Sequence, residues 1–366
     1  MLIFLKEDSL QQMLSSAGRK MNSLTILSTL LLSLVVVING AEKDIELSSL
    51  FTEMWNADVN RMEPISDWSV DTQGYHRYQP LSMDLAKQNF YSSVNEKKFQ
   101  LPTYKNFIAL LDNYDMEIGK NEKQTPEKEK EIYQFLSSVM ETKVFKIAHK
   151  FLKEKNILPS SDSEVRDLLK NIWFKNYRRG NAADTSGFEH VFVGEVRRDK
   201  IIGMHNWIQI YKEEKMKNLN YLGYLKKSCY REPRLFSIVT KWHKDTVKEA
   251  GTIFVGLSPE YEFSVLTTAF LMGQKKFAKD AGKWPKFAVQ IGPCFTLIQC
   301  FEADRNTDVN IWILLIHPSR FGIGANSSIG TRASELLRIF IGTKLLIIFP
   351  ICTTILNKGK RVTIKV

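Results

Sequence analysis

The chain of 366 residues carries a formal net charge of +11, with 44% hydrophobic and 25% charged residues and a pI near 9.3. That length holds one large domain or two smaller ones with a substantial core, and that composition excludes a disordered or fibrous chain. The charge suits a polyanionic partner or simply a basic soluble protein. Four cysteines without CxxC pairing argue against a zinc knuckle and are too few for a disulfide scaffold, though they allow one or two bridges.

At the N-terminus, Arg19, Lys20 and Met21 precede an apolar run from Ile26 to Ile38, followed by Asn39, Gly40 and Ala41. A basic flank, a short apolar core and small residues at its end make a secretory signal over residues 21–41. A retained signal anchor is the alternative, although the run is short against the ~20 apolar residues of a spanning helix. Met21 reads as the natural start, with residues 1–20 as an upstream gene-model extension. The domain proper is expected over 42–291.

Within that domain, Leu47, Leu50, Phe51, Met54 and Trp55 fall at helical spacing over 46–58. A polar, turn-rich stretch follows around 64–80, and residues 83–91 read as a short helix. Pro102 opens a helix through about residue 113, since a proline at the first helical position loses no hydrogen bond. Thr125-Pro126-Glu127 has the character of a helix N-terminus leading into 129–155, and 163–174 is a further amphipathic segment.

The second half changes character. Residues 190–195 are β-branched and aromatic, Arg197 to Lys200 look like a turn, and 201–211 complete an expected hairpin. Residues 235–242 and 252–257 give two more strands, with a turn over 243–246. Ser258-Pro259-Glu260 opens a helix through about Leu271, and 287–291 is a further strand. The class is α+β: a helical N-terminal part followed by antiparallel β-sheets forming the catalytic half. Residues 292–366 read as a divergent tail, whose apolar runs 295–298, 311–316 and 336–355 have no evident partners.

Histidine is scarce, with six in the chain, and two of them fall in the one expected hairpin: His190 near the start of one strand and His205 in the next. Two imidazoles that titrate near neutral pH can divide the work of base and acid. RNA cleavage by its own 2′-hydroxyl needs that division, together with a cation to face the charged phosphorane, and Lys248 beside the strand 252–257 can supply it. Two hairpin histidines are more commonly surface or core residues. His149, within a helical pattern, and His243, in a turn beside Trp242, read as structural or surface residues, and His76 and His317 offer no partner set. Glu189 and Glu195 flank His190; in a strand they share one face while His190 takes the other. They can orient an imidazole, join an oxygen-rich divalent-ion site, or simply face solvent.

Longer motifs surround these residues. The run Ser186-Gly-Phe-Glu-His-Val-Phe-Val-Gly-Glu195 resembles the signature of the EndoU family of poly(U)-preferring endoribonucleases. Gly203-Met-His-Asn-Trp-Ile208 resembles its second histidine motif, and Gly256-Leu-Ser-Pro-Glu-Tyr-Glu-Phe263 its Ser-Pro-Glu-Phe-Glu element. Trp55 to Asn60, Leu101 to Tyr104 and Leu110 to Tyr114 also match, in order and at family spacing, so the resemblance spans about 47–291.

The resemblance implies an active site of His190, His205 and Lys248, with His205 as base and His190 as acid. It implies transesterification of single-stranded RNA at uridines to a 2′,3′-cyclic phosphate, usually with Mn²⁺. Glu189 and Glu195 match family carboxylates important for activity, and Thr252 falls where relatives carry a hydroxyl near the uracil. A secreted monomer without a stable protein partner or membrane attachment is expected. The chain departs from the family at one element, a Gly-Ser/Thr-Ala-Tyr-Pro-like segment whose tyrosine holds the nucleotide. Here Ile329-Gly330-Thr331 is followed by Arg332-Ala333, without the tyrosine. Stacking on an aromatic is worth ~1–3 kcal/mol per base, so an RNA-binding protein of the same fold with impaired catalysis is the competing expectation.

Overall fold

The computed structural model describes residues 43–119, 122–178, 182–197, 200–229, 234–243, 246–277, 285–302, 311–316, 345–349, 352–357 and 360–364. The expected signal and the Ile329–Ala333 segment lie outside the described residues. The chain divides into two compact units, Met1–Pro318 and Ser319–Val366.

The helical part of the first unit is built on side-chain caps. Helix α1 (Ile45–Ala57) starts where the Asp44 carboxylate accepts the Leu47 N–H at 3.0 Å, and it buries Leu47, Leu50, Phe51 and Met54. Between α1 and the next helix lie strands β1 (Trp68–Val70) and β2 (Tyr91–Val94), which pair with each other. The helix expected over 83–91 does not form. The Gln73 side-chain oxygen takes the N–H groups of Lys87 and Gln88, and the Glu214 carboxylate takes those of Phe90 and Tyr91. Side chains thus satisfy the backbone donors that a helix would have satisfied.

Helix α2 (Pro102–Leu110) begins at its proline as expected. The single helix expected over 129–155 is two, α3 (Pro126–Met140) and α4 (Lys143–Glu154). The Thr142 hydroxyl accepts the Phe145 N–H at 3.1 Å and so starts a new helix inside an apparently continuous pattern. Helix α5 (Asp162–Phe174) opens with a Ser161–Glu164 capping box.

The second part of this unit carries short strands β3 (Tyr177–Arg178), β4 (Ala183–Thr185), β5 (Glu195–Arg197) and β6 (Lys200–Ile202), then helix α6 (Trp207–Lys215). Strands β7 (Leu219–Ser228), β8 (Leu235–Trp242) and β9 (Thr246–Phe254) form an antiparallel sheet in that order, with bulges in both pairings. Helix α7 (Pro259–Phe277) follows, then an antiparallel sheet of β10 (Lys286–Ile291), β11 (Cys294–Glu302) and β12 (Ile311–Ile316). The apolar runs near 295–298 and 311–316 therefore do have partners, each other and β10. A disulfide between Cys229, at the end of β7, and Cys294, at the start of β11, ties the two sheets together; Cys300 is buried and free.

The core beneath the second part is aromatic. Phe107, Phe135, Phe188, Phe192, Trp173 and Phe263 pack with ring centroids 4.9–6.0 Å apart, mostly tilted or edge to face. Helix α7 is locked into it through its Thr267 hydroxyl, which accepts the Trp173 indole N–H at 2.9 Å. The second unit is a three-stranded antiparallel sheet, β13 (Leu345–Phe349), β14 (Cys352–Asn357) and β15 (Lys360–Ile364).

Candidate active site

His190 is not in a strand. Residues Glu189–Val193 form one π-helical turn, closed by Gly194 N–H donating to the Glu189 carbonyl at 2.8 Å. The run Val191-Phe192-Val193 is buried throughout against the aromatic core. An apolar run buried on all sides has no periodicity to separate strand from helix, which is why it reads as a strand in sequence. Turns of this kind are rare and occur often at functional sites. The hairpin is shorter than expected, Glu195–Arg197 against Lys200–Ile202, and His205 lies just beyond it rather than within it.

Backbone contacts nonetheless bring the two histidines together. Met204 N–H donates to the His190 carbonyl at 2.9 Å, and His205 N–H donates to the Val191 carbonyl at 2.8 Å. Gly203 makes this approach possible. Its φ is +67°, and a Cβ there would sit 1.7 Å from the His190 carbonyl oxygen.

Each imidazole is held by its Nδ1. That of His190 lies 2.6 Å from Glu195 Oε2, and the Thr185 hydroxyl donates to the other Glu195 oxygen. His205 Nδ1 lies 3.0 Å from the Thr252 carbonyl, which only accepts, so Nδ1 carries the proton and Nε2 is the basic nitrogen. Both histidines are buried with 5% of their surface exposed, so little water reaches them.

The next residue fixes the second histidine. Asn206 caps α6, its side-chain oxygen accepting the N–H groups of Ile208 and Gln209 at 2.9 and 3.0 Å. Its amide donates to Glu262 on α7 at 2.8 Å. Asparagine ahead of an apolar helical run is a helix-start signal, but reading 201–211 as a strand hides it. The Ser-Pro-Glu-Tyr-Glu element thus reaches the site through Asn206.

Lys248 faces inward because β9 bulges. Thr240 pairs with Lys248 while Ile238 pairs with Gly251, leaving Glu249 and Ala250 against Val239 alone. The lysine is buried and has no carboxylate partner or hydrogen bond among the described residues. Burial pushes its ammonium down to about 8. His205 is pushed down to about 3, first by burial and then by the charges of Lys248 and His190. The contact of residues 204 and 205 with the His190 turn, and of His205 with Thr252 on the strand that carries Lys248, joins the three groups in one site. Thr252 gives its carbonyl to His205 and keeps a hydroxyl without a partner among the described residues.

The two carboxylates behave differently, and strand parity does not govern them. Glu195 turns toward His190. Glu189 is buried, held well above the usual carboxylate range by desolvation and by Glu195 and Glu122, and its Oε2 has no partner among the described residues. Among the described residues no group of three or more His, Cys, Asp or Glu side chains is arranged to hold a metal ion. Glu195 has both oxygens committed, and Glu189 offers one free oxygen. A divalent ion of the Mn²⁺ type takes about six oxygen ligands, so these residues alone do not complete its shell.

Comparison with known proteins gives consistent matches. The family model described as endoribonuclease XendoU matches residues 46–312. The chain is 39% identical over 265 residues to poly(U)-specific endoribonuclease-B of Xenopus laevis, covering 69% of this chain and 90% of that protein. It is 41% identical over 248 residues to uridylate-specific endoribonuclease B of Danio rerio, covering 65% of this chain and 88% of that one. It is also similar to a solved structure described as XendoU, a splicing-independent snoRNA-processing endoribonuclease. The TM-score is 0.63 at 36% identity, over 76% of this chain and 100% of that chain.

Proposed function

The chain belongs to the XendoU family of endoribonucleases, and from that premise we propose that it cleaves single-stranded RNA at uridines with His190, His205 and Lys248 as its catalytic residues. The observation that carries this reading is the unequal support of the two imidazoles. The Nδ1 of His190 rests on a buried carboxylate; that of His205 rests on a carbonyl, and its ring is neutral at ordinary pH.

His205 Nε2 takes the proton of the ribose 2′-hydroxyl. The freed oxygen bonds to the adjacent phosphorus, the bond from phosphorus to the 5′ oxygen breaks, and His190 gives that oxygen its proton. The products are a 2′,3′-cyclic phosphate and a 5′-hydroxyl. The Lys248 ammonium faces the charge that builds on the phosphorane, inside a site where burial makes such attraction strong. Glu195, steadied by Thr185, holds the His190 ring in place. Glu189 supports the turn that presents it, and the Thr252 hydroxyl is free to meet a base edge.

Mn²⁺ dependence is part of the proposal on the family resemblance, and no step above runs through the ion. The disulfide between Cys229 and Cys294 supports secretion, because such bonds persist in oxidising compartments. The enzyme is proposed to act as a monomer.

The test is cleavage of a 5′-labelled oligonucleotide with a single uridine, with Mn²⁺ and with EDTA. The wild type should yield a cyclic phosphate 3′ of the uridine, and His190→Ala and His205→Ala should each abolish it. Retained cleavage in either variant would overturn the assignment. A second reading, RNA binding without cleavage, draws on the absent tyrosine after Thr331; it predicts binding of the same oligonucleotide with no cyclic product.

A further inference from the structure

A second cluster of nucleic-acid-like chemistry lies at the far edge of the sheet that carries Lys248. Residues 74–76 lie along β7 like an added strand. His76 N–H donates to the Tyr224 carbonyl at 2.9 Å, and Tyr224 N–H donates to the Gly74 carbonyl at 3.0 Å. Gly223, at φ +134°, lets them come this close, since a Cβ there would sit 2.7 Å from the Gly74 carbonyl oxygen. The segment is anchored from within by the buried His76 ring, whose Nε2 is 3.0 Å from the Leu222 carbonyl.

This docking stacks Tyr75 on Tyr224, with ring centroids 5.1 Å apart and planes 22° off parallel. Tyr75 is 49% exposed and Tyr78 is 84% exposed. The Arg77 guanidinium lies 5.0 Å from the Tyr78 ring centroid, and the Lys227 ammonium lies 5.2 Å from that of Tyr224. Arg77, Lys226 and Lys227 have no carboxylate partner among the described residues. Aromatic faces interleaved with uncompensated cations are what binds single-stranded nucleic acid: bases stack on the rings while the cations follow the phosphates.

The place of the cluster fits the same substrate. Tyr224, Ile238 and Gly251 are successive partners across β7, β8 and β9. Two strand spacings, roughly 10 Å, therefore separate the backbone under this cluster from the strand that carries Lys248 and Thr252. We propose that Tyr75, Tyr78 and Tyr224, with Arg77, Lys226 and Lys227, form a stacking platform that binds single-stranded RNA a few nucleotides from the bond that is cut. The platform gives affinity for longer RNA and takes no part in the chemistry. It rests on the reading of RNA as substrate, but not on cleavage by this chain.

Binding and cleavage are therefore measured separately on the full chain. For binding, fluorescence anisotropy is read with an octanucleotide whose uridine is 2′-deoxy and cannot be cut. Tyr78→Ala and Tyr75→Ala should each weaken binding about tenfold. Tyr75→Phe, which keeps the ring, should bind like wild type. Lys226→Ala with Lys227→Ala should lower the slope of log affinity against log salt by about 1.4, at about 0.7 for each contact. For cleavage, a dinucleotide with one uridine should be cut equally by wild type and by these variants, while an octanucleotide should show a raised KM at unchanged kcat. Unchanged octanucleotide affinity in the tyrosine variants, or an equal loss on the dinucleotide, would overturn the platform. Competition by a base-free polyphosphate as effective as RNA would also overturn it, leaving only a basic patch. A wild type that binds and discriminates in this way but cuts nothing would leave the platform standing and remove the catalytic proposal.

Discussion

Lys248 is the residue whose state the site controls most directly. An ammonium in water keeps its proton far above neutral pH; this one is buried, without a counter-ion among the described residues, and holds it only to about 8. The proposed role needs the charged form, so kcat/KM should fall as pH rises through about 8. The acidic side stays level down to about 3, as far as His205 governs it, because only there does His205 gain a proton and stop acting as a base. Lys248→Ala should lower kcat by about 10²–10³ and remove the part of the alkaline limb near pH 8 that belongs to the lysine, leaving the part that His190 gives as it loses its proton. A limb above pH 10 in the wild type would contradict the buried, unpaired state. Lys248 is a candidate in sequence from the need for a cation and its place beside a strand, and the motif strengthens it, but the bulge that turns it inward leaves no periodic mark. Thr185, Asn206 and Glu262 escaped notice for a related reason: they act through a neighbour, and the pairings join residues 10 and 56 positions apart.

At the scale of elements, caps, one-sided patterns and short apolar runs between turns are legible, while a buried run can leave helix and strand undecided and side chains that replace backbone partners leave no mark. Helices α1 and α5 have caps and one-sided patterns, while β8, buried almost throughout, and β10 are short apolar runs, and all four stand close to where the sequence puts them. The π turn reads as a strand in sequence because Val191, Phe192 and Val193 are buried on every side. The loop before β2 was read as a helix because its donors are taken by Gln73 and Glu214, far away in sequence. The histidines still came together, though through the contact of a loop with a turn and not across a hairpin. That contact makes Gly203 a sharp test. Gly203→Ala forces the loop away from the His190 carbonyl and should cost at least about 2 kcal/mol in urea unfolding. It should also lower kcat well beyond what the lost stability explains. Wild-type stability in that variant would show that the loop does not need its close approach.

Across the whole molecule, the α+β plan was readable because helical patterns crowd the first half and strand patterns the second. The partners of the later runs were not, since sheet pairing is a long-range property that a single run does not encode. The disulfide could not be assigned from spacing either. It closes a loop of 65 residues, for which chain entropy gives about 4 kcal/mol of stabilisation. Reduction, or Cys229→Ser, should lower the thermal midpoint accordingly; an unchanged midpoint under reductant would mean the bridge does not constrain the unfolded chain.

Helix α1 has its docking site at the other end of the unit. Asp44 N–H donates to the Ala288 carbonyl at 2.8 Å, and the Tyr261 hydroxyl donates to the Phe51 carbonyl at 2.9 Å. A ribosome adds ~5–20 residues per second, so roughly 12 to 50 seconds pass between the synthesis of Asp44 and that of Ala288. During that interval Leu47, Phe51 and Met54 have no strand β10 to cover them. A nascent chain of this protein thus keeps part of that apolar helix face without its final partner until most of the unit has been made.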